Sequence, residues 1–153
     1  MGVTEKLAEL GLTLPPVVPP VASYVPAVRS GDHVFTSGQL PMVDGALTAT
    51  GKVGAEVSAE DATAAARVCA LNALAAIDAL VGIESVVRIV KVVGFVASAP
   101  GFTGQPGVIN GASNLLGELF GDAGIHARSA VGVAELPLGA AVEVEMIVEV
   151  APA

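Results

Sequence analysis

The run Ala127-Arg128-Ser129-Ala130-Val131-Gly132-Val133, and after it Ala141-Val142-Glu143-Val144-Glu145-Met146-Ile147-Val148-Glu149-Val150, decides the fold. In the second run Val142, Val144, Met146, Val148 and Val150 recur with period two, the spacing that puts side chains on one face of a strand. Glu143, Glu145 and Glu149 share the other face with Ile147. The valine face is core, and a row of glutamates by itself reads as a solvated strand face. The chain thus closes in two strands, at 127–134 and 141–150. If they form a hairpin about Leu136-Pro137-Leu138-Gly139, Glu143 falls opposite Gly132. That is some ~13 Å along the sheet from Arg128 at ~3.3 Å per residue. The two side chains then do not meet within one subunit, although a site shared between subunits would still unite them.

Upstream, Val86 to Ala97 is rich in valine and isoleucine and stops at Ser98-Ala99-Pro100-Gly101, which predicts a central strand and a turn, with Arg88 and Lys91 on opposite faces. A glycine-loosened helix is expected from about Gln105 to Phe120. Ser58-Ala59-Glu60-Asp61 caps an alanine-rich helix running to about Leu80, whose small side chains allow close approach to a sheet. Tyr24 to Arg29 and His33 to Ser37 read as strands around Ser30-Gly31-Asp32, with a further short strand near Leu47. The order is βββαβαββ or close to it: an α+β sandwich of two layers, with two main helices on one face of a mixed sheet. Residues 1–20 are set apart as a helix, Thr4 to Leu10, capped by Thr4 and stopped by Gly11, and a proline strap, Leu14 to Pro20. Residues 21–153 form the domain itself.

A chain of 153 residues, 53% hydrophobic and 14% charged, is the size of one domain. With so few charges to cover its surface, it is expected to bury apolar area between identical subunits. The longest uncharged stretch, Val92 to Gly117, is broken by Pro100, Pro106 and several glycines, so it predicts no membrane span. Glu5, Lys6 and Glu9 stand where an export signal needs an apolar run, and Lys6 occupies the position that a myristoylation motif gives to Ser or Thr. The single cysteine, Cys69, fits a reducing cytoplasm. A net charge of -8, no tryptophan and 3% aromatic residues supply neither the basic surface nor the stacking platforms of a nucleic-acid binder.

Against that scarcity of charge, Arg128 inside an apolar strand is conspicuous. A buried guanidinium deprived of its partner costs on the order of 3–5 kcal/mol, so the fold supplies a carboxylate or leaves Arg128 for a ligand. Small neighbours on its face, Ala130 and Gly132, leave room for one. Gly38, in Ser37-Gly38-Gln39-Leu40-Pro41, ends a strand where a backbone N–H can approach a carboxylate or carbonyl, although glycine there is commonly just a turn. Tyr24 is the one phenol, able to donate to an anion or to be satisfied by a core carbonyl. Asn110, near the start of the second helix, suits either a ligand or a cap. His33 and His126 have no metal-ligand spacing, no phosphate-binding glycine motif is present, and Cys69 inside the apolar helix reads as an inert thiol.

Tyr24, Ser37-Gly38-Gln39-Leu40-Pro41, Asn110, Ala127-Arg128-Ser129-Ala130-Val131, Val133-Ala134-Glu135-Leu136-Pro137 and Val142-Glu143-Val144-Glu145 together resemble the RidA family of reactive-intermediate deaminases, also called the YjgF or L-PSP endoribonuclease-like family. The resemblance implies a chorismate-mutase-like α+β fold, a homotrimer with ligand clefts between subunits, and cofactor-independent conversion of an enamine or imine such as 2-aminoacrylate to a 2-oxo acid and ammonia. It implies that Arg128 binds the substrate carboxylate, that Glu143 helps place the attacking water, and that Tyr24, Ser37, Gly38 and Asn110 line the pocket. No metal or other cofactor is implied. Ala130 departs from the pattern, since many deaminating members carry cysteine there. Two other readings stand beside this one: a non-catalytic trimer that binds a small carboxylate metabolite, and, from the older family name, an RNA-cleaving translation inhibitor.

Overall fold

The computed structural model describes residues 1–153. Helix α1 spans Val3–Glu9 and is followed by the irregular proline strap; strands β1 (Ala27–Ser30) and β2 (His33–Thr36) come next. Then come the two-residue strands β3 (Met42–Val43) and β4 (Ala46–Leu47), helix α2 (Ala59–Val81), strand β5 (Val86–Ala97), helix α3 (Gln105–Phe120) and strands β6 (Ala127–Val133) and β7 (Val142–Val150). The main sheet runs β1-β2-β7-β5-β6, while β3 and β4 form a separate ribbon. This is the two-layer α+β sandwich expected.

The connection of the last two strands differs from a hairpin. β6 pairs in parallel with β5, and β7 enters between β5 and β2, antiparallel to both. Burial accounts for it: β7 is fully buried at every second residue and needs neighbours on both sides, whereas β6 is exposed or half-buried throughout and lies at the edge. Glu143 is therefore opposite Phe95, not Gly132. β5 is interior, but the middle position belongs to β7. Arg88 and Lys91 also depart from the reading: register shifts between Val86/Arg88 and Ile89/Lys91 set Arg88 beside Glu149 and Lys91 beside Ile147. A bulge adds a residue to the alternation, so both cations share one face.

The valine face of β7 packs with α2 and α3 into a single core that includes Ala62, Ala66, Ala70 and Ala73 of α2 and Ile109, Leu115 and Leu116 of α3. Two glycines set the depth of α3. A Cβ on Gly94 would stand 2.4 Å from Ile109, and one on Gly111 would stand 2.0 Å from the Thr63 carbonyl oxygen. α2 is long and apolar enough to cross a membrane by length and composition, yet 56% of its most apolar window is buried within the fold. Ser58 caps it as expected, accepting from Asp61 N at 3.0 Å.

α1 is not an appendage, since Val3 and Leu7 join the same core. Its cap is not Thr4. The helix begins after Gly2, and the Glu84 carboxylate accepts from Thr4 N at 2.8 Å and Val3 N at 3.2 Å. Tyr24 precedes β1 instead of opening it, because Pro26 has no N–H to offer the sheet.

Both helices cover one face of the sheet. The opposite face presents Val28, Phe35 and Ile147 in one cross-strand row, beside Val93, Phe95 and Val131, with Val28, Phe35 and Val131 exposed.

Candidate functional site

Arg128 is paired with Val92, a buried core residue, so its side chain leaves the sheet on the helix-covered face. There it meets α3. Nη1 donates to Asn110 Oδ1 at 2.8 Å and to Ser113 Oγ at 3.2 Å, and Nη2 donates to the Pro106 carbonyl at 3.2 Å. Residues 106, 110 and 113 follow the i, i+4, i+7 spacing of one helix stripe, and the glycine contacts above seat α3 against β5 and α2, which leaves that stripe beside Arg128 on β6. Asn110 is thus a side-chain acceptor in the second turn of α3 and not a cap.

No carboxylate approaches this cation. The ion pairs of the chain are Lys6–Glu9, Arg29–Asp32, Lys52–Glu135 and Arg67–Glu118. The expected alternative of a structural salt bridge at Arg128 is therefore absent. A guanidinium has five N–H donors, and three here are spent on neutral acceptors. The Nε–H and one Nη2 hydrogen remain, on nitrogens that flank the same edge of the fork, the arrangement that takes a carboxylate with two parallel bonds. A cavity of about 300 Å³ opens beside Arg128, lined also by Ser113, Gly117, Gly124, Ile125 and His126.

Ser113 is not singled out in the sequence, and His126 is read there only as a histidine without metal-ligand spacing. His126 Nδ1 lies 2.6 Å from the Gly124 carbonyl, and Nε2 lies 2.9 Å from Ser113 Oγ. The spacing held the signal: Ser113 is one turn beyond Asn110 on α3, and His126 is two residues before Arg128 along an extended segment.

Glu143 occupies the other face. It stands opposite Phe95 among the polar positions of β7, with the Gly38 backbone beside it; a Cβ on Gly38 would lie 2.0 Å from Glu143 Oε1. Glycine is needed there for the carboxylate to fit. Burial raises the Glu143 pKa above the usual carboxylate range, and the neighbouring Glu145 charge adds to the rise. Gly38 and Tyr24 also line a space of only about 20 Å³ beneath the strap. The phenol oxygen of Tyr24 accepts from Val21 N at 3.3 Å. Ser37 donates its hydroxyl to the Val25 carbonyl at 2.5 Å, which ties the Tyr24 loop to the end of β2. The six expected site residues thus fall into two groups: Arg128 with Asn110, and Tyr24, Ser37 and Gly38 with Glu143. The sheet lies between Arg128 and Glu143. Cys69 is buried, and burial holds its thiol well above the usual range, so it is unreactive.

The sequence profile of the YjgF/chorismate mutase-like endoribonuclease family matches residues 4–150. Protein TCP17 of Trypanosoma cruzi is 46% identical over 149 residues, covering 96% of this chain and 93% of that protein. The protein Atu1372 of Agrobacterium tumefaciens, of unknown function, is 46% identical with a TM-score of 0.90, covering 97% of this chain and 92% of that one. The YjgF gene product of Escherichia coli is 28% identical with a TM-score of 0.64 over 89% of this chain and 93% of that one. The α+β sandwich superposes on these solved structures, and the chain belongs to the YjgF/chorismate mutase-like family.

Proposed function

We propose that the protein hydrolyses a small enamine or imine bearing a carboxylate, without a cofactor, in a cleft between neighbouring subunits of a homotrimer. The observation that carries this reading is the free edge of Arg128, a cation held by neutral acceptors in the absence of any ion pair. The substrate carboxylate takes that edge in a charge-assisted pair. An enamine is first protonated on carbon to its imine; water then adds to the imine carbon, the C–N bond breaks, and a 2-oxo acid and ammonia leave. Glu143 is suited to take the proton from that water and return it to the departing nitrogen, since a carboxyl group with a raised pKa is nearer to the working pH than an ordinary one.

The separation of the two groups supports a shared cleft. Arg128 sits on the edge strand on the helix face, and Glu143 sits on the open face of β7, so in this reading a second copy brings its Glu143, Tyr24 and Gly38 to the first copy's Arg128. The uncovered row of Val28, Phe35 and Ile147 supplies apolar surface for such an assembly.

Turnover of freshly generated imino acids, small and bulky, by the wild type and by Arg128→Ala is the direct test. Acceleration that disappears in the variant supports the deaminase. Carboxylate binding without acceleration of any substrate would establish instead a non-catalytic binder, which needs Arg128 but not Glu143. Co-assembly of Arg128→Ala with Glu143→Gln tests the shared cleft. Two inactive chains mixed equally regain about a quarter of wild-type activity if each site draws one residue from each copy, and none if both come from one copy.

A further inference from the structure

We infer that Ser113 and His126 form a hydrogen-bond relay that positions Arg128, so that the guanidinium presents its free edge in one orientation. The inference rests on the reading of Arg128 as the carboxylate anchor and adds the two residues that fix its geometry.

The argument is one of donors and acceptors. The Gly124 carbonyl, 2.6 Å from His126 Nδ1, can only accept, so Nδ1 carries the proton. In the neutral ring Nε2 is then an acceptor, and its partner at 2.9 Å, Ser113 Oγ, must donate to it. The one hydroxyl hydrogen of Ser113 is consumed there. Toward Arg128, 3.2 Å from Nη1, Ser113 presents lone pairs alone. Each bond dictates the direction of the next, from the Gly124 carbonyl to the guanidinium.

A serine without His126 is different. Its hydroxyl is free to rotate, so its lone pairs are no longer fixed on Nη1 and the contact weakens. A carboxylate would hold Arg128 more strongly, but it would also neutralise the charge and occupy the ligand edge. Three neutral acceptors leave the charge available, and the relay fixes the orientation of one of them. The backbone around it is constrained: a Cβ on Gly124 would lie 2.2 Å from the Leu116 carbonyl oxygen, so the 121–124 turn seats tightly on α3 and holds the carbonyl that sets the histidine tautomer.

The test compares wild type, Ser113→Ala, His126→Leu and His126→Gln, the last of which keeps an acceptor near the place of Nε2. Binding of 2-oxobutanoate is followed by calorimetry, and turnover of the corresponding imine is followed by steady-state kinetics. Ser113→Ala and His126→Leu are expected to raise Kd and KM about tenfold, as for a weakened bond to a charged group, with kcat within about twofold. His126→Gln should recover most of the loss. Unchanged Kd in both disruptive variants, or a fall in kcat at constant KM, overturns the relay.

Nitrogen NMR of the imidazole reads the same inference without any ligand. The Nδ1–H tautomer is expected, together with an ordered Arg128 Nε–H that becomes mobile in His126→Leu; an Nε2–H tautomer overturns it. A wild type that neither binds 2-oxobutanoate nor turns over any imine would instead remove the anchor reading of Arg128, while the tautomer and Arg128 order still decide the relay.

Discussion

The Arg128 side of the sheet keeps a cation away from every carboxylate, and the Glu143 side keeps a carboxylate away from every cation. Arg128 is stabilised by three neutral oxygens on α3. Glu143 is stabilised by nothing comparable; burial and Glu145 both work against its charge. Either arrangement alone is a cost to the fold. On the proposed function they are the two halves of one site, and within one chain the sheet lies between them. The contrast teaches that unpaired charge and cavity volume point to different places in this fold, since the larger space of about 510 Å³ beneath the proline strap is lined by neither residue.

The largest effect is expected at Arg128. Arg128→Ala should lower kcat/KM for a carboxylate-bearing imine by at least about a hundredfold, as truncating one side of a charged pair does. Arg128→Lys should recover little, because an ammonium has no fork to match the carboxylate and cannot keep all three bonds to α3. Lysine working as well as arginine would mean that charge, not the free edge, is what the site uses.

Glu143→Gln should reduce kcat on the order of a hundredfold, with a smaller change in KM. The same variant should be more stable than wild type at neutral pH. The folded-state pKa of Glu143 is raised above its unfolded value, so its favourable contribution is present below the ordinary carboxylate pKa and is lost as pH rises through the folded one. Glutamine removes the charge and with it that loss. Thermal melts of both proteins from pH 4 to 8 should therefore diverge upward. Parallel curves would contradict the burial argument.

The two halves were not equally legible in the sequence. Period two in Val142 to Val150, and the cap and alanines of Ser58 to Leu80, fixed the main elements because both signals are local. Strand order was not local: whether Ala127–Val133 pairs with β7 or with β5 depends on which strand must be buried on both sides, and a turn such as Leu136 to Gly139 permits either. Arg128 stood out by its rarity. Ser113 and His126 did not, because a serine on an exposed helix stripe and a histidine at a strand entrance become informative only when α3 is laid against β6. The bulges in β5 were hidden as well, since a valine-rich strand reads alike with one residue more or less.

Gly38→Ala gives an intermediate effect that separates position from charge. The added Cβ claims the volume of Glu143 Oε1, so the carboxylate must swing away while keeping its charge. A fall of about tenfold in kcat is expected, with Kd for a carboxylate ligand little changed. Equal losses in binding and rate would place Gly38 against the substrate carboxylate, on the Arg128 side of the reaction.

The smallest effect contrasts Glu143 with a second glutamate, Glu84. Acceptance from the backbone N–H of Thr4, and also from Val3, lowers the Glu84 pKa below the ordinary range. The sign is opposite: its contribution is present above the unfolded carboxylate pKa and is lost as pH falls through the lowered folded value. Acidification should therefore relieve Glu143 and release α1, with no loss of the Arg128 geometry. Amide exchange at Thr4 is the measurement, since protonation of Glu84 removes the charge from the group that accepts from that N–H. Protection should fall in wild type as pH drops below the ordinary carboxylate range, and in Glu84→Gln it should be weaker but nearly independent of pH. The same acid-dependent loss in both proteins would mean that α1 is held by the burial of Val3 and Leu7 and not by the carboxylate. The contrast between the two glutamates would then rest on Glu143 alone.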